Sequence, residues 1–353
     1  MNLDDLVGRP GAWLCSKGPE SEVVISSRAR LARNVASFPF TTRMSDDERT
    51  ELERRAREAV EASQAVRPGF YVDLFGASAL DRKFLVERHL ISREHEDATG
   101  RRGVAISDDE RVSVMVNEED HLRFQALLPG LALSDAWRTV DAVDGALEKQ
   151  LEFAFHPKYG YLTACPTNVG TGLRASVLLH LPALAITRQL EKVFQAISRL
   201  NLAVRGLYGE GTEGTGHFYQ ISNQASLGKS EEEIVRNLEA VVPQVVAYER
   251  REREVLAESH RPRLEDRAWR AYGMLRYAKL VTSEEALALL SALRLGVQIG
   301  VVKSLPVEVV NEMLVFTQPA HLQKRIGREV PPDERDAIRG EYVRGRLAEA
   351  ERN

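Results

Sequence analysis

The chain has 353 residues, of which 43% are hydrophobic, and 48 lysines and arginines stand against 52 aspartates and glutamates, for a formal charge of -4. This length can bury a large core and favours two domains over one. The lack of a net positive charge argues against nucleic acid or an anionic membrane as a direct partner.

The cellular compartment is indicated by the two cysteines and the N-terminal sequence. Cys15 and Cys165 are too few for a secreted disulfide framework, or for a four-ligand zinc site unless histidines supply the other ligands. The N-terminal residues lack the charged and apolar regions of a secretion signal. No apolar stretch comes near the length of a membrane-spanning helix, which is about 20 residues. We therefore expect a cytoplasmic protein.

The first predicted element in chain order is a helix over residues 46–63, because Ser45 and Glu48 form a capping box. Short runs of branched, aromatic or alternating residues then predict strands over 70–74, 103–107, 112–116 and 160–164. Helical spacing predicts helices over 134–153 and 176–200. Two further strands are predicted over 202–207 and 217–222, and a glycine-rich loop containing Glu210 joins them.

The remainder of the chain is predicted to be helical, over 230–258, 264–280, 282–295 and 333–351. We place a domain boundary near His260. The predicted fold is α+β: residues 1–260 form an antiparallel sheet flanked by helices, and residues 261–353 form an all-helical C-terminal domain.

Two nucleotide-binding loops of common type are considered and rejected. Residues 170–175 match the G-x-G-x-x-A pattern, but the acidic residue at the expected distance, Glu191, falls inside a helical run. Residues 227–230 resemble the end of a Walker A loop, yet Asn223 occupies the position of its first glycine.

Arginines in unusual sequence surroundings suggest a different anion site. They are Arg28 and Arg30 in SSRAR, Arg123 in NEEDHLR, Arg174 in CPTNVGTGLRAS, and Arg205 just before the glycine-rich loop. On an extended segment Arg28 and Arg30 project to one face. Guanidinium groups bind phosphate oxygens bidentately, so this set suits a polyanion. The alternative is that each arginine pairs with a surface carboxylate.

Acidic residues and a cysteine lie close to these arginines in the sequence. Glu118, Glu119 and Asp120 are consecutive, and like charges in a row are costly unless they are solvated or hold a cation. The run therefore indicates a solvated turn or a site. Cys165 fits either a buried core thiol or, beside a cationic substrate, a thiolate of lowered pKa.

Taken in order, SSRAR, NEEDHLR, CPTNVGTGLR and the glycine-rich loop resemble the phosphagen (guanidino) kinase family over roughly residues 20–225. The resemblance implies an enzyme that uses ATP and Mg²⁺ to phosphorylate a guanidinium nitrogen. The implied contacts to the ATP phosphates are Arg28, Arg30, Arg123, Arg174 and Arg205, with His89 as a further nucleotide contact.

The resemblance also implies the residues that act on the acceptor. Glu119 and Glu210 would hold and deprotonate the guanidinium, and Cys165 would lie against it as a thiolate. Glu118 and Asp120 would reach magnesium through water. The chemistry agrees, because a guanidinium has a pKa above about 12 and needs a base before it can attack. Which of the two glutamates takes the proton stays open.

The domain layout departs from that of enzymes acting on free arginine or creatine, which carry a helical N-terminal domain that helps enclose the small substrate. Here SSRAR already begins at residue 26, and a helical domain follows the catalytic motifs. The chain is thus similar to the bacterial protein-arginine kinases of the family. An open site of this kind could admit an arginine side chain of a polypeptide.

The C-terminal domain contains the sequence RDAIR at residues 335–339. Arg335 and Arg339 share a helix face beside Asp336, which on sequence alone fits a solvated charged helix. The resemblance implies instead an allosteric site for phosphoarginine. The leucine and alanine faces over 264–295 fit internal packing or a homodimer formed through this domain.

The same resemblance implies a role in protein quality control. Proteins with exposed arginines would be phosphorylated, marked for Clp proteolysis and linked to the heat-shock and stress response. Implied partners are an activator of the McsA type, the ClpC/ClpP unfoldase and protease, and the CtsR repressor. Two alternatives remain: a free-guanidino phosphagen (arginine) kinase, and a non-catalytic phosphoarginine-binding adaptor.

Overall fold

The computed structural model describes residues 2–15, 17–207 and 214–352. Its central element is an eight-stranded antiparallel sheet in the order β2-β3-β4-β5-β1-β8-β10-β9, and a separate hairpin pairs β6 with β7. The strands are β1 (Val24–Arg33), β2 (Gly69–Asp73), β3 (Gly103–Ser107), β4 (Val112–Val116), β5 (Leu122–Pro129), β6 (Phe155–His156), β7 (Gly160–Tyr161), β8 (Leu173–His180), β9 (Leu202–Gly206) and β10 (Phe218–Asn223).

Helices occupy both sides of the sheet, and the C-terminal region that the structure describes consists of helices and their connections. They are α1 (Asp46–Ser63), α2 (Ala79–Glu87), α3 (Arg93–Asp97), α4 (Leu133–Glu148), α5 (Pro182–Ile186), α6 (Leu190–Arg199), α7 (Glu231–Ser259), α8 (Arg261–Tyr277), α9 (Ser283–Gln298), α10 (Val307–Phe316), α11 (Pro319–Ile326) and α12 (Pro332–Ala350). None of these helices is both long enough and apolar enough to cross a lipid bilayer.

The two faces of the sheet are covered differently. On one face, alternate residues of the central strands such as Ala29 and Leu31 are fully buried in a core that includes residues of α1, α4 and α7. On the other face, Leu127, Leu178 and Phe218 pack against helices of the C-terminal region. The central strands leave part of this second face uncovered, and the cleft described below lies there.

A buried polar contact also joins the C-terminal helices to the sheet. Arg294 on α9 is fully buried and donates hydrogen bonds to the backbone carbonyls of Ser21 and Glu22 and to Nδ1 of His180, at 2.9–3.0 Å. The helical region is therefore packed onto the sheet through both apolar and polar contacts.

The predicted fold class is confirmed: an antiparallel sheet flanked by helices is followed by a helical C-terminal region. The predicted helix over 46–63 is also confirmed, with the reciprocal Ser45 and Glu48 capping bonds. The helix predicted over 176–200 is wrong in its first part, where β8 crosses the sheet. The strand predicted over 160–164 shrinks to the two residues of β7.

Candidate active site

Arginines from three adjacent strands meet on the uncovered part of the sheet. Arg30 on β1 lies directly opposite Arg174 on β8, and Arg123 on β5 lies opposite Ala32 of β1. Arg28 and Arg30, two residues apart, project to the same side. All four arginines line one cleft of about 1140 Å³.

Arg205 reaches the same cleft from the sheet edge. It lies on β9 opposite Gln220 of β10, and Gln220 accepts a hydrogen bond of 3.0 Å from Nη2 of Arg28. Gln220 thus holds one guanidinium in place without neutralising its charge. The antiparallel pairing of β1, β5, β8, β10 and β9 brings together arginines that are up to 177 positions apart in the chain (205 minus 28).

Basic side chains outnumber the carboxylates in the cleft lining, which are Glu87, Glu94, Glu96 and Glu119. Burial, together with the positive charges of Arg174 and Arg123, lowers the pKa of Arg28 to about 10. Burial and the charges of Arg28, Arg123 and Arg174 lower the pKa of Arg30 well below its usual value. The Nε atoms of Arg30 and Arg174 are buried without a hydrogen-bond partner. Such a cluster favours an anion with several oxygens, as a triphosphate provides.

Arg123 is the exception, because two carboxylates hold it. Its Nη1 donates to Glu118 at 2.5 Å, and its Nη2 donates to Glu119 at 3.0 Å. Ser92 donates a further hydrogen bond to Glu118. The side chain of Glu118 is fully buried, whereas that of Glu119 is 40% exposed and faces the cleft.

The two neighbouring carboxyl groups consequently differ in pKa. Burial would raise the pKa of Glu118, but the charge of Arg123 and the hydrogen bond from Ser92 lower it overall. Burial raises the pKa of Glu119, the positive charge of Arg123 offsets part of this, and the negative charges of Asp120 and Glu118 add to the rise. Glu118 is thus suited to stay ionised and to hold the Arg123 guanidinium, whereas Glu119 is suited to exchange a proton with a bound group.

Cys165 also lines the cleft, at the start of the segment that leads into β8. Its Sγ is 3.0 Å from Oγ1 of Thr167. Gly172, at φ +68°, lets this segment pass close to β1, since a Cβ atom there would lie 2.6 Å from the carbonyl oxygen of Ala32. The glycine therefore allows the close approach that brings Cys165 and Arg174 to the same cleft.

Other predicted site residues lie in different surroundings. His89 lines the cleft, and burial lowers its pKa to about 3, so its ring is neutral. Glu210 lies outside the described residues. Asp120 is buried and accepts hydrogen bonds from Asn34 and from the backbone of Ala164.

Neither Glu118 nor Asp120 is among the described residues that line the cleft, and their contact with magnesium through water stays a prediction. Glu118 is buried and accepts hydrogen bonds from Arg123 and Ser92, and Asp120 is buried and accepts its hydrogen bonds from Asn34 and Ala164. Within the described ranges, no three histidine, cysteine, aspartate or glutamate side chains gather into a metal site.

The RDAIR residues lie on α12, away from the cleft lining. Arg339 is fully buried and donates to the carbonyls of Val281 and Thr317, to Ser283 and to Asp336. Arg335 has a buried Nε without a hydrogen-bond partner. A phosphoarginine site here stays a prediction, and it would require Arg339 to give up bonds that join α12 to neighbouring segments.

Several cleft residues were not identified from the sequence. Gln220 and Ser92 act through single hydrogen bonds to charged neighbours, and no sequence pattern marks them. Gln318 and Pro319 line the cleft from the C-terminal region. They could not be assigned to the cleft before the packing of that region on the sheet was known.

Two family models match the chain, and together they span most of it. Residues 51–252 match the ATP:guanido phosphotransferase C-terminal catalytic domain. Residues 261–353 match the C-terminal domain of the protein-arginine kinase McsB.

Sequence similarity to known proteins extends over nearly the whole chain. The protein-arginine kinase of Symbiobacterium thermophilum is 50% identical over 352 residues, which are 99% of this chain and 100% of that protein. The protein-arginine kinase of Bacillus subtilis is 44% identical over 95% of this chain and 93% of its own length.

Among solved structures, a duplicated taurocyamine kinase from Schistosoma mansoni with bound transition-state analogue components matches at a TM-score of 0.60 and 31% identity. The match covers 70% of this chain and 36% of that one. A lombricine kinase matches at a TM-score of 0.58 and 27% identity, over 70% of each chain.

Proposed function

The chain belongs to the ATP:guanido phosphotransferase family and, within it, to the protein-arginine kinases, and from this premise we propose that it transfers the γ-phosphoryl group of Mg-ATP to arginine side chains of proteins. The observation that carries the proposal is the cluster of arginines on the uncovered sheet face, with Glu119 and Cys165 on the walls of the same cleft. A polyanion and a cationic acceptor would thus bind side by side.

The arginines supply the phosphate site. Arg28, Arg30 and Arg174 lie on adjacent strands, and the unpartnered Nε atoms of Arg30 and Arg174 fit a ligand with several oxygen acceptors. Phosphoryl transfer depends mainly on alignment and on neutralising the charge of the transferring group. Because these side chains project from paired strands, their positions are set before the nucleotide binds.

Glu119 and Cys165 supply the acceptor site. The carboxylate of Glu119 would pair with the guanidinium and take the proton from the attacking nitrogen, which is no nucleophile while protonated. Cys165, which lines the same cleft, would face the same guanidinium. Glu210, which the family resemblance pairs with Glu119, is proposed as the second carboxylate on sequence grounds.

Magnesium would enter with the nucleotide as part of the substrate. Mg²⁺ is commonly bound through substrate phosphates and water with few protein carboxylates. The described carboxylates Glu118 and Asp120 are engaged in protein hydrogen bonds. The residues of this chain would therefore act mainly on the phosphate oxygens and the acceptor.

A role in stress-linked proteolysis remains part of the proposal. We propose a cytoplasmic enzyme that marks proteins for the ClpC/ClpP protease, cooperates with an McsA-type activator and acts on the CtsR repressor. Similarity to protein-arginine kinases over nearly the full chain supports this assignment as an inference from kinship.

The test is incubation with Mg-ATP and an arginine-containing unfolded protein such as casein, with free arginine in a parallel reaction. Products are read by mass spectrometry under non-acidic conditions, because the phosphoramidate bond is acid-labile. Phosphate on protein arginine is expected. Phosphate on free arginine alone would support a phosphagen kinase, and ATP binding without transfer would support the adaptor alternative.

A further inference from the structure

We propose that Asn34 and Asp120 form a clamp that fixes the spacing between Glu119 and Cys165, so that Asp120 acts as a positioning residue through its hydrogen bonds. The proposal rests on the function proposed above and assigns the buried acidic residue of NEEDHLR a task at the acceptor end of the cleft.

One oxygen atom of Asp120 joins the turn that carries Glu119 to the segment that carries Cys165. Its Oδ1 accepts a hydrogen bond of 2.6 Å from the backbone N–H of Ala164 and another of 2.7 Å from Nδ2 of Asn34. Asp120 directly follows Glu119, and Ala164 directly precedes Cys165. The bond to Ala164 therefore connects the residues next to the two acceptor-facing groups.

Asn34 adds a second connection between the same segments. Its Nδ2 donates to the carbonyl oxygen of Leu162 at 3.0 Å, and its Oδ1 accepts from the backbone N–H of His121 at 2.9 Å. Asn34 follows the last residue of β1 and is 2% exposed, and Asp120 is fully buried. The clamp is thus anchored to the central strand of the sheet and shielded from water.

The turn that carries Glu119 is also held from its other side. Nδ1 of His121 accepts a hydrogen bond from the backbone N–H of Val35, so Nε2 carries the proton and donates to the carbonyl of Pro39 at 2.8 Å. Thr41 donates to the carbonyl oxygen of Glu119 at 2.6 Å. The Glu119 backbone consequently has little freedom to move relative to β1.

The geometry assigns this role to hydrogen bonding and not to the charge of Asp120. Both bonds end on Oδ1, whereas Oδ2 is buried and has no partner. An asparagine at this position would keep an equivalent Oδ1 and both bonds. A residue that served by holding a hydrated cation would need an accessible charged oxygen.

The expected consequence concerns alignment. Reacting groups must be held to within a fraction of an ångström, and a misplacement of about 1 Å can lower the rate about a hundredfold. Releasing the clamp would change the Glu119-to-Cys165 spacing while leaving the phosphate-binding strands in place. Releasing the clamp should therefore lower kcat and disturb acceptor alignment more than it changes KM for ATP.

The test compares Asp120→Asn, which keeps both hydrogen bonds, with Asp120→Ala and Asn34→Ala, which remove them. For Asp120→Asn we expect kcat within about threefold of wild type. For the two alanine variants we expect kcat to fall about tenfold to a hundredfold, with KM for ATP changed less than about threefold. If Asp120→Asn is as inactive as Asp120→Ala, or needs much more magnesium, the charge is essential and the proposal is overturned.

A second readout does not require kinase activity. The rate of Cys165 alkylation by iodoacetamide, followed by peptide mapping, should change at least about threefold in Asn34→Ala and Asp120→Ala and stay near wild type in Asp120→Asn. Asn223→Ala is the matched control, because Asn223 is a buried asparagine bonded to Ala175 and Leu173 on β8. We expect it to leave the alkylation rate unchanged.

Thermal unfolding identifies variants that do not fold, and Asn34→Ser then replaces Asn34→Ala. Unchanged Cys165 reactivity in a folded Asn34 variant would overturn the clamp. An inactive wild-type protein would overturn the proposed function instead, and the alkylation experiment would still decide the clamp.

Discussion

At the scale of single residues, Arg30 is a side chain that we expect to serve the site while it destabilises the folded protein. It lies opposite Arg174 and near Arg28 and Arg123, and burial and these charges lower its pKa well below the usual value. Like charges held together in a partly desolvated place destabilise the fold unless an anion binds. Stability is therefore expected to oppose function at this position.

We predict that Arg30→Met raises the free energy of unfolding by about 1 kcal/mol and weakens ATP binding at least about tenfold. Denaturant unfolding and calorimetric titration measure the two effects. Inorganic phosphate should raise the melting temperature of the wild type more than that of the variant. The exposed Arg54, which pairs with Glu51 and Glu58 on α1, provides the control, and Arg54→Met should change neither ATP binding nor the response to phosphate.

Glu119 is expected to determine the acid side of the pH profile. Burial raises its carboxyl pKa, so the basic form is lost as pH falls through a value above that of an ordinary glutamate, which is about 4.3. We predict that kcat/KM falls on this side, and that Glu119→Gln lowers kcat about 10²- to 10⁴-fold while ATP still binds. A variant that retained the wild-type acid limb would show that another group titrates there.

The types of residue in the site could be predicted from the sequence, but their partners could not. SSRAR and CPTNVGTGLRAS identified arginines that the sheet brings into one cleft. Residue type alone does not distinguish Glu118 from Glu119 in NEEDHLR, and the burial of Glu118 beside Arg123 and Ser92 gives the physical difference between them. Burial and long-range hydrogen bonds of this kind have no local sequence pattern.

At the scale of elements, β8 explains the clearest error in the sequence-based prediction. Residues 175–180 are buried throughout, because both faces of this central strand are covered. A strand buried on both faces loses the alternation that identifies a strand, and a short apolar run can equally fit a helix. The strands over 103–107 and 112–116 are also buried, yet their runs of branched residues between turns are sufficient to predict strands there.

The segment before β8 depends on a glycine, and this can be tested. A Cβ atom on Gly172 would lie 2.6 Å from the carbonyl oxygen of Ala32, at a φ of +68°. We predict that Gly172→Ala lowers the free energy of unfolding by about 1 to 3 kcal/mol and lowers kcat, because Cys165 and Arg174 flank it.

Gly145 is the matched position. It lies inside α4 with no atom within 4 Å of an added Cβ. Gly145→Ala should stabilise the protein by about 0.5 to 1 kcal/mol, since alanine favours a helix interior. Equal effects of the two substitutions in denaturant unfolding would contradict this account of the segment.

At the scale of the whole molecule, the C-terminal helices complete the sheet. Leu127, Leu178 and Phe218 share a core with them, and Gln318 and Pro319 reach the cleft itself. The boundary near His260 was placed where α7 ends and α8 begins. The sequence could indicate the break between these two helices, but it could not show that the regions on either side of it share a core.

This packing predicts cooperative unfolding. Arg294→Leu would remove the buried hydrogen bonds that Arg294 donates to His180 and to the carbonyls of Ser21 and Glu22, and we expect the free energy of unfolding to fall by about 3 kcal/mol. Calorimetry should show one transition, shifted as a unit, because sheet and helices share a core. Two separate transitions, with only the helical one shifted, would show that the regions unfold independently.

The most direct test of the central claim uses ATP whose γ-phosphoryl group carries ¹⁸O. The enzyme is incubated with this nucleotide, magnesium and an unfolded arginine-containing protein. The masses of the modified peptides are then measured by mass spectrometry under non-acidic conditions. The account predicts phosphoarginine that carries the labelled phosphoryl group, in an amount that falls at least about a hundredfold with Glu119→Gln. Labelled inorganic phosphate without phosphoarginine, or a Glu119→Gln variant with wild-type yield, would contradict it.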